Sequence, residues 1–228
     1  MAALTDAPPA HHEVPVVSDA APPPAPGTAL LLAGWGTDPR RLHPLRDTLV
    51  DRGLDATVWP YHPVGSLPSL GRELLERVDR SSDDGPVHLV GHSLGGLIAA
   101  HAALQCDDRI ATVTTVNTPW RGTWAAYTGS GGLAEALRYR SDDLRGLRDL
   151  LAAHHTDAVA AGPRWLLLSV LGDLAAPAST ALRTGVRGPR LTRRVVPTTG
   201  HSLSLFSPRV IEAVVDHVAD DRSLDAAS

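Results

Sequence analysis

A serine between two glycines, at the junction of an apolar run and a helical pattern, is the first candidate for chemistry in this sequence. Residues 91–95 read Gly-His-Ser-Leu-Gly, and they lie between the apolar run 87–90 and the alanine-rich run 97–104. The first run predicts a buried strand and the second a helix. Glycines permit the tight, strained turn that joins such elements directly. The spacing therefore predicts Ser93 at the tip of the turn, with an exposed hydroxyl above a helix N-terminus.

A serine hydroxyl is a useful nucleophile near neutral pH only when a base accepts its proton and a carboxylate orients that base. Asp173 and His201 each follow a predicted strand, so their loops can meet at one edge of a parallel sheet. The order along the chain is then Ser93, Asp173, His201. Asp173 could instead be a turn former, with Asp38 or Asp157 supplying the carboxylate, and His201 could simply pack on the last helix.

Residues 91–96, Gly-His-Ser-Leu-Gly-Gly, resemble the nucleophile elbow of the α/β-hydrolases, in particular of their lipase and esterase branch. The order Ser-Asp-His is the one expected for that fold. Residues 116–123 also resemble a segment that follows the next strand in bacterial lipases, which often have histidine where Trp120 stands. The resemblance covers about residues 28–220. It implies about six mostly parallel strands with helices on both faces.

Acyl transfer through a serine also needs donors for the negative charge that develops on the carbonyl oxygen. Backbone amides fixed near that oxygen each lower the barrier by roughly 3 kcal/mol. We expect one of them to be the amide of Leu94, directly after the nucleophile. The second is assigned to Trp35, in the glycine-flanked loop after the first predicted strand. The alternative for Trp35 is a ring packed in the core, and the ring could also form one wall of an acyl site.

Strand and helix patterns alternate along most of the chain, which predicts a parallel sheet covered on both faces. Predicted strands are 28–33, 56–60, 87–90, 110–116, 165–171 and 191–196, and predicted helices are 40–52, 69–80, 97–104 and 208–219. Residues 119–163 interrupt the alternation with leucines at helical spacing, so we predict a helical insertion. The resemblance implies a lid or cap over an apolar acyl pocket. An ordinary pair of surface helices is the alternative.

Length and charge restrict the number of domains and the kinds of partner that we expect for this chain. A chain of 228 residues forms one domain, and a formal net charge of −4 does not favour nucleic acid as a partner. Residues 1–27, rich in proline and alanine, lack the pattern of a secretory signal, and we expect them to be a flexible tail. Residues 221–228 are expected to be a flexible C-terminus. No apolar run is long enough to span a membrane, so we expect a cytoplasmic protein.

Two other features have less specific interpretations. The lone cysteine, Cys106, is expected to be a core or near-core residue at the end of the elbow helix. Five arginines cluster before and within the last strand, and we expect them to form a solvated rim, the alternative being contact with an anionic substrate or carrier. They are Arg183, Arg187, Arg190, Arg193 and Arg194.

Together these residues predict a serine hydrolase that cleaves a small, partly apolar carboxylic ester through an acyl-enzyme, without a cofactor or metal. A thioesterase that releases acyl groups from a carrier protein or coenzyme A is the nearest alternative, with the arginines meeting phosphates. A non-catalytic binding module on the same fold is an alternative of another class.

Overall fold

A six-stranded parallel sheet forms the centre of the molecule, in a computed structural model that describes residues 27–81, 85–105, 109–156 and 162–225. The strands are β1 (Thr28–Leu32), β2 (Asp55–Val58), β3 (Val87–His92), β4 (Ile110–Val116), β5 (Arg164–Gly172) and β6 (Leu191–Thr199). Their order is β2-β1-β3-β4-β5-β6, and every neighbouring pair is parallel. The predicted sheet is confirmed.

Both faces of the sheet are covered, which explains why its central strands are buried along nearly their whole length. In β1, Leu30 and Leu32 pack into the core on one face, while Ala29 and Leu31 pack into the core on the other. This alternation follows from the two-residue period of a strand. The resulting two cores hold the sheet between two layers of helices.

The helices are α1 (His43–Asp51), α2 (Leu67–Ser81), α3 (Leu94–Ala103), α4 (Gly132–Ala136), α5 (Asp142–Thr156), α6 (Ala178–Ala181) and α7 (Pro208–Asp225). Helices α2 and α3 contribute to one core, and α1 and α7 to the other. The predicted helix 40–52 begins as a 3-10 turn, Pro39–Leu42, and becomes α-helical at His43. Pro44 has no amide hydrogen to donate, which separates the two segments.

The insertion between β4 and β5 contains a 3-10 turn at Trp124–Tyr127 followed by α4 and α5. Its buried leucines belong to the same core as α2 and α3, and they are Leu133, Leu137, Leu144, Leu147 and Leu151. The helical spacing in this segment therefore reflects packing against the body of the domain. The role of the insertion as a lid over the site stays a prediction.

Several expectations concern residues at the limits of the structure. Residues 1–26 of the expected tail, Cys106 and Asp157 lie outside the described residues. Helix α7 runs to Asp225, further along the chain than the predicted end at residue 219. Within the described ranges, no helix is both long enough and apolar enough to cross a bilayer.

Helix α3 packs directly on β1 because Gly95 carries no side chain. A Cβ atom at Gly95 would lie 2.5 Å from the carbonyl oxygen of Leu32 and 2.7 Å from that of Ala33. These are backbone atoms, which cannot turn aside as the end of a side chain can. Gly146, on α5, is also helical, but no atom lies within 4 Å of the position its Cβ would take.

These two helical glycines should respond in opposite ways to alanine. We expect Gly95→Ala to lower the free energy of unfolding by about 1–3 kcal/mol, because α3 must move away from β1. Gly146→Ala should raise it by about 0.5–1 kcal/mol through helix propensity alone. Urea unfolding of the two variants checks this. Equal changes in both would show that the contact between α3 and β1 is not tight.

Candidate active site

Ser93 is the single residue between β3 and α3. Its backbone has φ 52° and ψ −120°, a conformation that side-chain-bearing residues rarely adopt. Its amide donates to the Val116 carbonyl oxygen at 2.9 Å, which holds the turn against the end of β4. The Ser93 side chain makes no capping hydrogen bond to α3. The hydroxyl is therefore left available for chemistry.

The loop after β1 lies directly against Ser93. A Cβ atom on Gly34 would lie 2.7 Å from Ser93 Cβ and 3.2 Å from Thr37 Oγ1, so only glycine fits there without a shift. Thr37 Oγ1 lies 3.3 Å from Ser202 Oγ, in the loop that carries His201. The loops after β1, β3 and β6 thus meet at one edge of the sheet.

His201 and Asp173 form a hydrogen-bonded pair between the ends of β6 and β5. His201 Nδ1 lies 2.7 Å from Asp173 Oδ2. Asp173 Oδ1 accepts from the amides of Ala175 and Ala176, each at 2.9 Å. Asp173 is only 1% exposed. Burial raises the pKa of Asp173, but the hydrogen bonds from His201 and the two amides outweigh it and hold the pKa below its usual value.

An ionised Asp173 fixes the protonation pattern of His201. A carboxylate can only accept a hydrogen bond, so His201 Nδ1 carries the proton and Nε2 is left with a free lone pair. His201 and Ser93 line the same cavity, whose volume is about 120 Å³. Within the described part of the chain, Ser93 Oγ makes no side-chain hydrogen bond, and such contacts commonly tighten only when substrate binds.

The cavity is formed by loops and by the insertion. Its lining residues are Trp35, Ser93, Pro119, Thr123, Ala125, Ala126, Leu137, Ala175, Ala176 and His201. Apart from Ser93, Thr123 and His201, these side chains are apolar. Thr123 Oγ1 donates to the carbonyl of Ala175 at 2.6 Å, so this hydroxyl links two parts of the cavity wall. The lining can therefore hold a small apolar group beside Ser93.

The two residues predicted to supply the oxyanion amides both lie next to Ser93. Leu94 is the first residue of α3, where a backbone amide has no partner inside the helix. Trp35 lines the cavity and is 40% exposed as a residue, and the tip of its ring lies against Gly129 of the insertion. The assignment of these two amides stays a prediction.

The alternative carboxylate, Asp38, has a different role in the structure. It caps the 3-10 turn at Pro39–Leu42 by accepting from the Arg40 amide at 3.0 Å. It also forms an ion pair with the Arg40 guanidinium, at 2.9 Å. His201 is paired with Asp173 instead, and Asp157 lies outside the described residues.

The sequence did not reveal what holds the backbone of His201. Its carbonyl oxygen accepts three hydrogen bonds, from His92 Nε2 at 3.1 Å, Asn117 Nδ2 at 2.9 Å and Ser204 Oγ at 2.9 Å. His92 is the last residue of β3, and Asn117 directly follows β4. A signal was present, since Asn117 is a polar residue at the carboxyl end of a central strand, as Asp173 is.

Asn117 connects three parts of the site through one buried amide. Its Oδ1 accepts from the Val170 amide at 3.1 Å, and its Nδ2 donates to the His201 carbonyl and to Ser204 Oγ. The Val170 amide can only donate, which fixes the orientation of the Asn117 side chain. Asn117 is fully buried and has a φ of 51°, a left-handed conformation that asparagine tolerates better than most residues.

His92 lies fully buried beneath His201, with a ring-centroid separation of 4.7 Å. Its Nε2 must carry the proton, because the His201 carbonyl can only accept. Burial, together with the nearby His201, lowers the pKa of His92 to about 3. His92 thus supports the loop of His201 as a neutral side chain.

Comparisons with known proteins agree with this topology. Residues 68–131 match the family model described as alpha/beta hydrolase fold. Est1E from Butyrivibrio proteoclasticus is similar with a TM-score of 0.67 and 18% identity, over 90% of this chain and 91% of that chain. The chain has the α/β-hydrolase fold. The fold that the resemblance of residues 91–96 implies is confirmed.

Two other α/β-hydrolase structures are named for their activities. A monoacylglycerol lipase from Paleococcus ferrophilus has a TM-score of 0.61 and 18% identity, over 85% of this chain and 96% of that one. A thermophilic esterase from Thermogutta terrifontis has a TM-score of 0.61 and 16% identity, over 87% of this chain and 92% of that one. The similarity extends well beyond the elbow, over most of each chain.

The depressed pKa of His92 predicts a pH-dependent stability. The unfolded chain binds a proton at His92 below about pH 6.5, whereas the folded chain does so only below about pH 3, so stability falls as the pH decreases through this window. At about pH 5 the loss from this group is about 2 kcal/mol. Between about pH 7 and pH 5, the wild type should therefore lose about 2 kcal/mol more than His92→Gln in urea unfolding.

The exposed His62 provides a control for this measurement, since His62→Gln should keep the wild-type pH dependence. If His92→Gln and His62→Gln lost stability equally between these two pH values, the assignment of His92 as a neutral, buried side chain would be wrong.

Proposed function

We propose that this α/β-hydrolase-fold chain hydrolyses carboxylic esters through an acyl-enzyme at Ser93. The observation that carries the proposal is that Ser93 and His201 line one small cavity, with His201 hydrogen-bonded to the buried Asp173. The pairing leaves His201 Nε2 free to accept the Ser93 proton. The lipase and the esterase among the similar structures favour an ester as the class of substrate.

In the first half of the reaction, Ser93 Oγ attacks the ester carbonyl carbon while His201 Nε2 accepts the hydroxyl proton. The carbonyl oxygen becomes an oxyanion, which the amides of Trp35 and Leu94 stabilise. When the intermediate collapses, the bond to the alcohol oxygen breaks, and His201 returns the proton to that oxygen. The alcohol leaves, and the acyl group remains bonded to Ser93.

In the second half, a water molecule attacks the acyl-enzyme as His201 accepts one of its protons. Collapse of the second intermediate breaks the bond to Ser93 Oγ, which regains its proton from His201, and the carboxylic acid is released. Asp173 keeps the proton on Nδ1 and stabilises the imidazolium in both halves. The net reaction consumes one ester and one water.

The size of the cavity restricts the acyl group that can be accommodated. A dry apolar cavity of about 150 Å³ holds a molecule the size of benzene. The cavity beside Ser93 is smaller, at about 120 Å³, and Leu137 of the insertion forms part of its wall. We therefore propose esters of short acyl chains, up to about four carbons, as the preferred substrates.

The triad assignment predicts how single substitutions affect turnover of p-nitrophenyl acetate. Ser93→Ala should abolish labelling by a fluorophosphonate probe and lower kcat by about 10⁴-fold or more. Asp173→Asn should lower kcat by about 10³–10⁴-fold with the fold intact, because the tautomer of His201 is no longer fixed. Steady-state kinetics, with circular dichroism to check folding, measures both effects.

Asp38→Asn is the matched control, since it neutralises the carboxylate that caps the turn at Pro39–Leu42. It should leave kcat within about threefold of wild type, because an exposed ion pair contributes little. Unchanged turnover in Ser93→Ala would refute the mechanism. Absence of labelling and turnover in the wild type would instead favour a non-catalytic binding module.

The acyl-size proposal predicts a steep dependence on chain length. From p-nitrophenyl butyrate to the octanoate, kcat/KM should fall by about 10–100-fold, since overfilling a packed site costs about 1–3 kcal/mol. Leu137→Ala enlarges the cavity and should restore much of the activity on the octanoate. Leu150→Ala, on the same insertion but 48% exposed, should not. A flat chain-length profile in the wild type would contradict the proposal.

A further inference from the structure

A second, larger cavity has a volume of about 710 Å³. Four of its lining residues are arginines, namely Arg121, Arg183, Arg187 and Arg193. The rest of its lining is small or apolar, and none of the described residues that form it is acidic. Four positive side chains therefore surround one space without a carboxylate to balance them.

Backbone contacts hold part of this arginine cluster in place. Arg193 Nε donates to the Leu182 carbonyl at 2.9 Å, and its Nη2 donates to Thr184 Oγ1 at 3.1 Å and to the carbonyl of Val186. Burial and the neighbouring Arg187 lower the pKa of Arg193. These hydrogen bonds fix the guanidinium of Arg193 at the wall of the cavity, where the positive charge of Arg187 repels it.

Arg121 is also fixed, because its Nε donates to the Arg183 carbonyl at 2.7 Å. This bond leaves both terminal nitrogens of Arg121 free for another acceptor. Arg183 and Arg187 have exposed side chains. Throughout the ranges that the structure describes, neither of them forms an ion pair with a carboxylate. The cluster therefore combines two anchored guanidiniums with two that are free to close on a ligand.

Neighbouring segments of the chain line the larger cavity and the one that contains Ser93. Arg121 lies between Pro119 and Thr123, which both line the smaller cavity. Ala178 lines the larger cavity and Ala176 the smaller one, and two residues span at most about 7 Å. A ligand held by the arginines would thus be bound by segments that also form the cavity of Ser93.

We propose that this cavity binds a phosphate-bearing anion. The planar, forked guanidinium matches the geometry of phosphate oxygens, and its bonds to phosphate are charge-assisted. A monocarboxylate would neutralise only one of four positive groups, whereas a diphosphate carries several charges across a space of this size. The anion can belong to the leaving group of the substrate, as in a coenzyme A thioester, or to a separate phosphorylated molecule.

Calorimetric titration of the full chain with inorganic pyrophosphate tests the site. Arg183→Gln/Arg187→Gln should raise the Kd at least about tenfold, because two charge-assisted contacts are lost. The matched control is Arg194→Gln/Arg209→Gln, which removes the same charge. Arg194 lines a different cavity, on the opposite face of β6, and Arg209 lies on α7. The control should leave the Kd unchanged.

Two outcomes would overturn the proposal. One is no measurable pyrophosphate binding by the wild type at low salt. The other is an equal rise in Kd for both double variants, which would show that pyrophosphate senses only net charge. Ser93→Ala should bind pyrophosphate as the wild type does. The anion site can therefore be tested even if the proposed ester hydrolysis fails.

Kinetics then distinguishes the two sources of the phosphate. If the substrate carries the phosphate, Arg183→Gln/Arg187→Gln should lower kcat/KM for acetyl-coenzyme A but not kcat/KM for p-nitrophenyl acetate. The ratio of the first value to the second should then fall by about tenfold or more. If a separate molecule carries it, this ratio should not change, while the loss of pyrophosphate affinity persists. Either result supports a phosphate site, and the first would also favour thioester hydrolysis.

Discussion

Direct backbone packing between α3 and the central strands is the constraint on which the site depends. Gly91 and Gly95 leave no side chain between the helix and the ends of β1 and β3, so the chain must turn within one residue. Ser93 takes the strained conformation that results, at a cost of about 1–3 kcal/mol that the surrounding core offsets. The other site residues are placed relative to that turn, since Gly34 packs on Ser93 and the His201 carbonyl is bound by His92.

Much of this arrangement was predictable because the signals are local. A short apolar run such as that of β1 predicts a buried strand wherever it occurs, and glycine spacing around Ser93 defines a turn without reference to distant residues. Parallel topology then brings together loops that are far apart in the sequence. For this reason the position of Asp173 and His201 after their strands was enough to propose a pair, and the structure places their side chains 2.7 Å apart.

The residues that the sequence did not reveal act through contacts without a local pattern. Asn117 and His92 are 84 and 109 residues from His201, and each donates to a backbone oxygen that any residue at position 201 would provide. The arginine cluster depends on the course of the loop between α6 and β6, which has no periodicity to interpret. Arg193 does not fit the expected solvated rim, because its guanidinium is hydrogen-bonded to the carbonyls of Leu182 and Val186.

Strand β6 leads into the His201 loop and pairs with β5 alone among the described strands, which makes it an edge strand of the sheet. An exposed edge strand invites aggregation unless charges or proline discourage it. Arg193 and Arg194 place positive charge on its two faces, and Pro197 has no amide hydrogen to offer a neighbour. Self-association is thereby disfavoured at the strand that leads into the loop of His201, the proposed base.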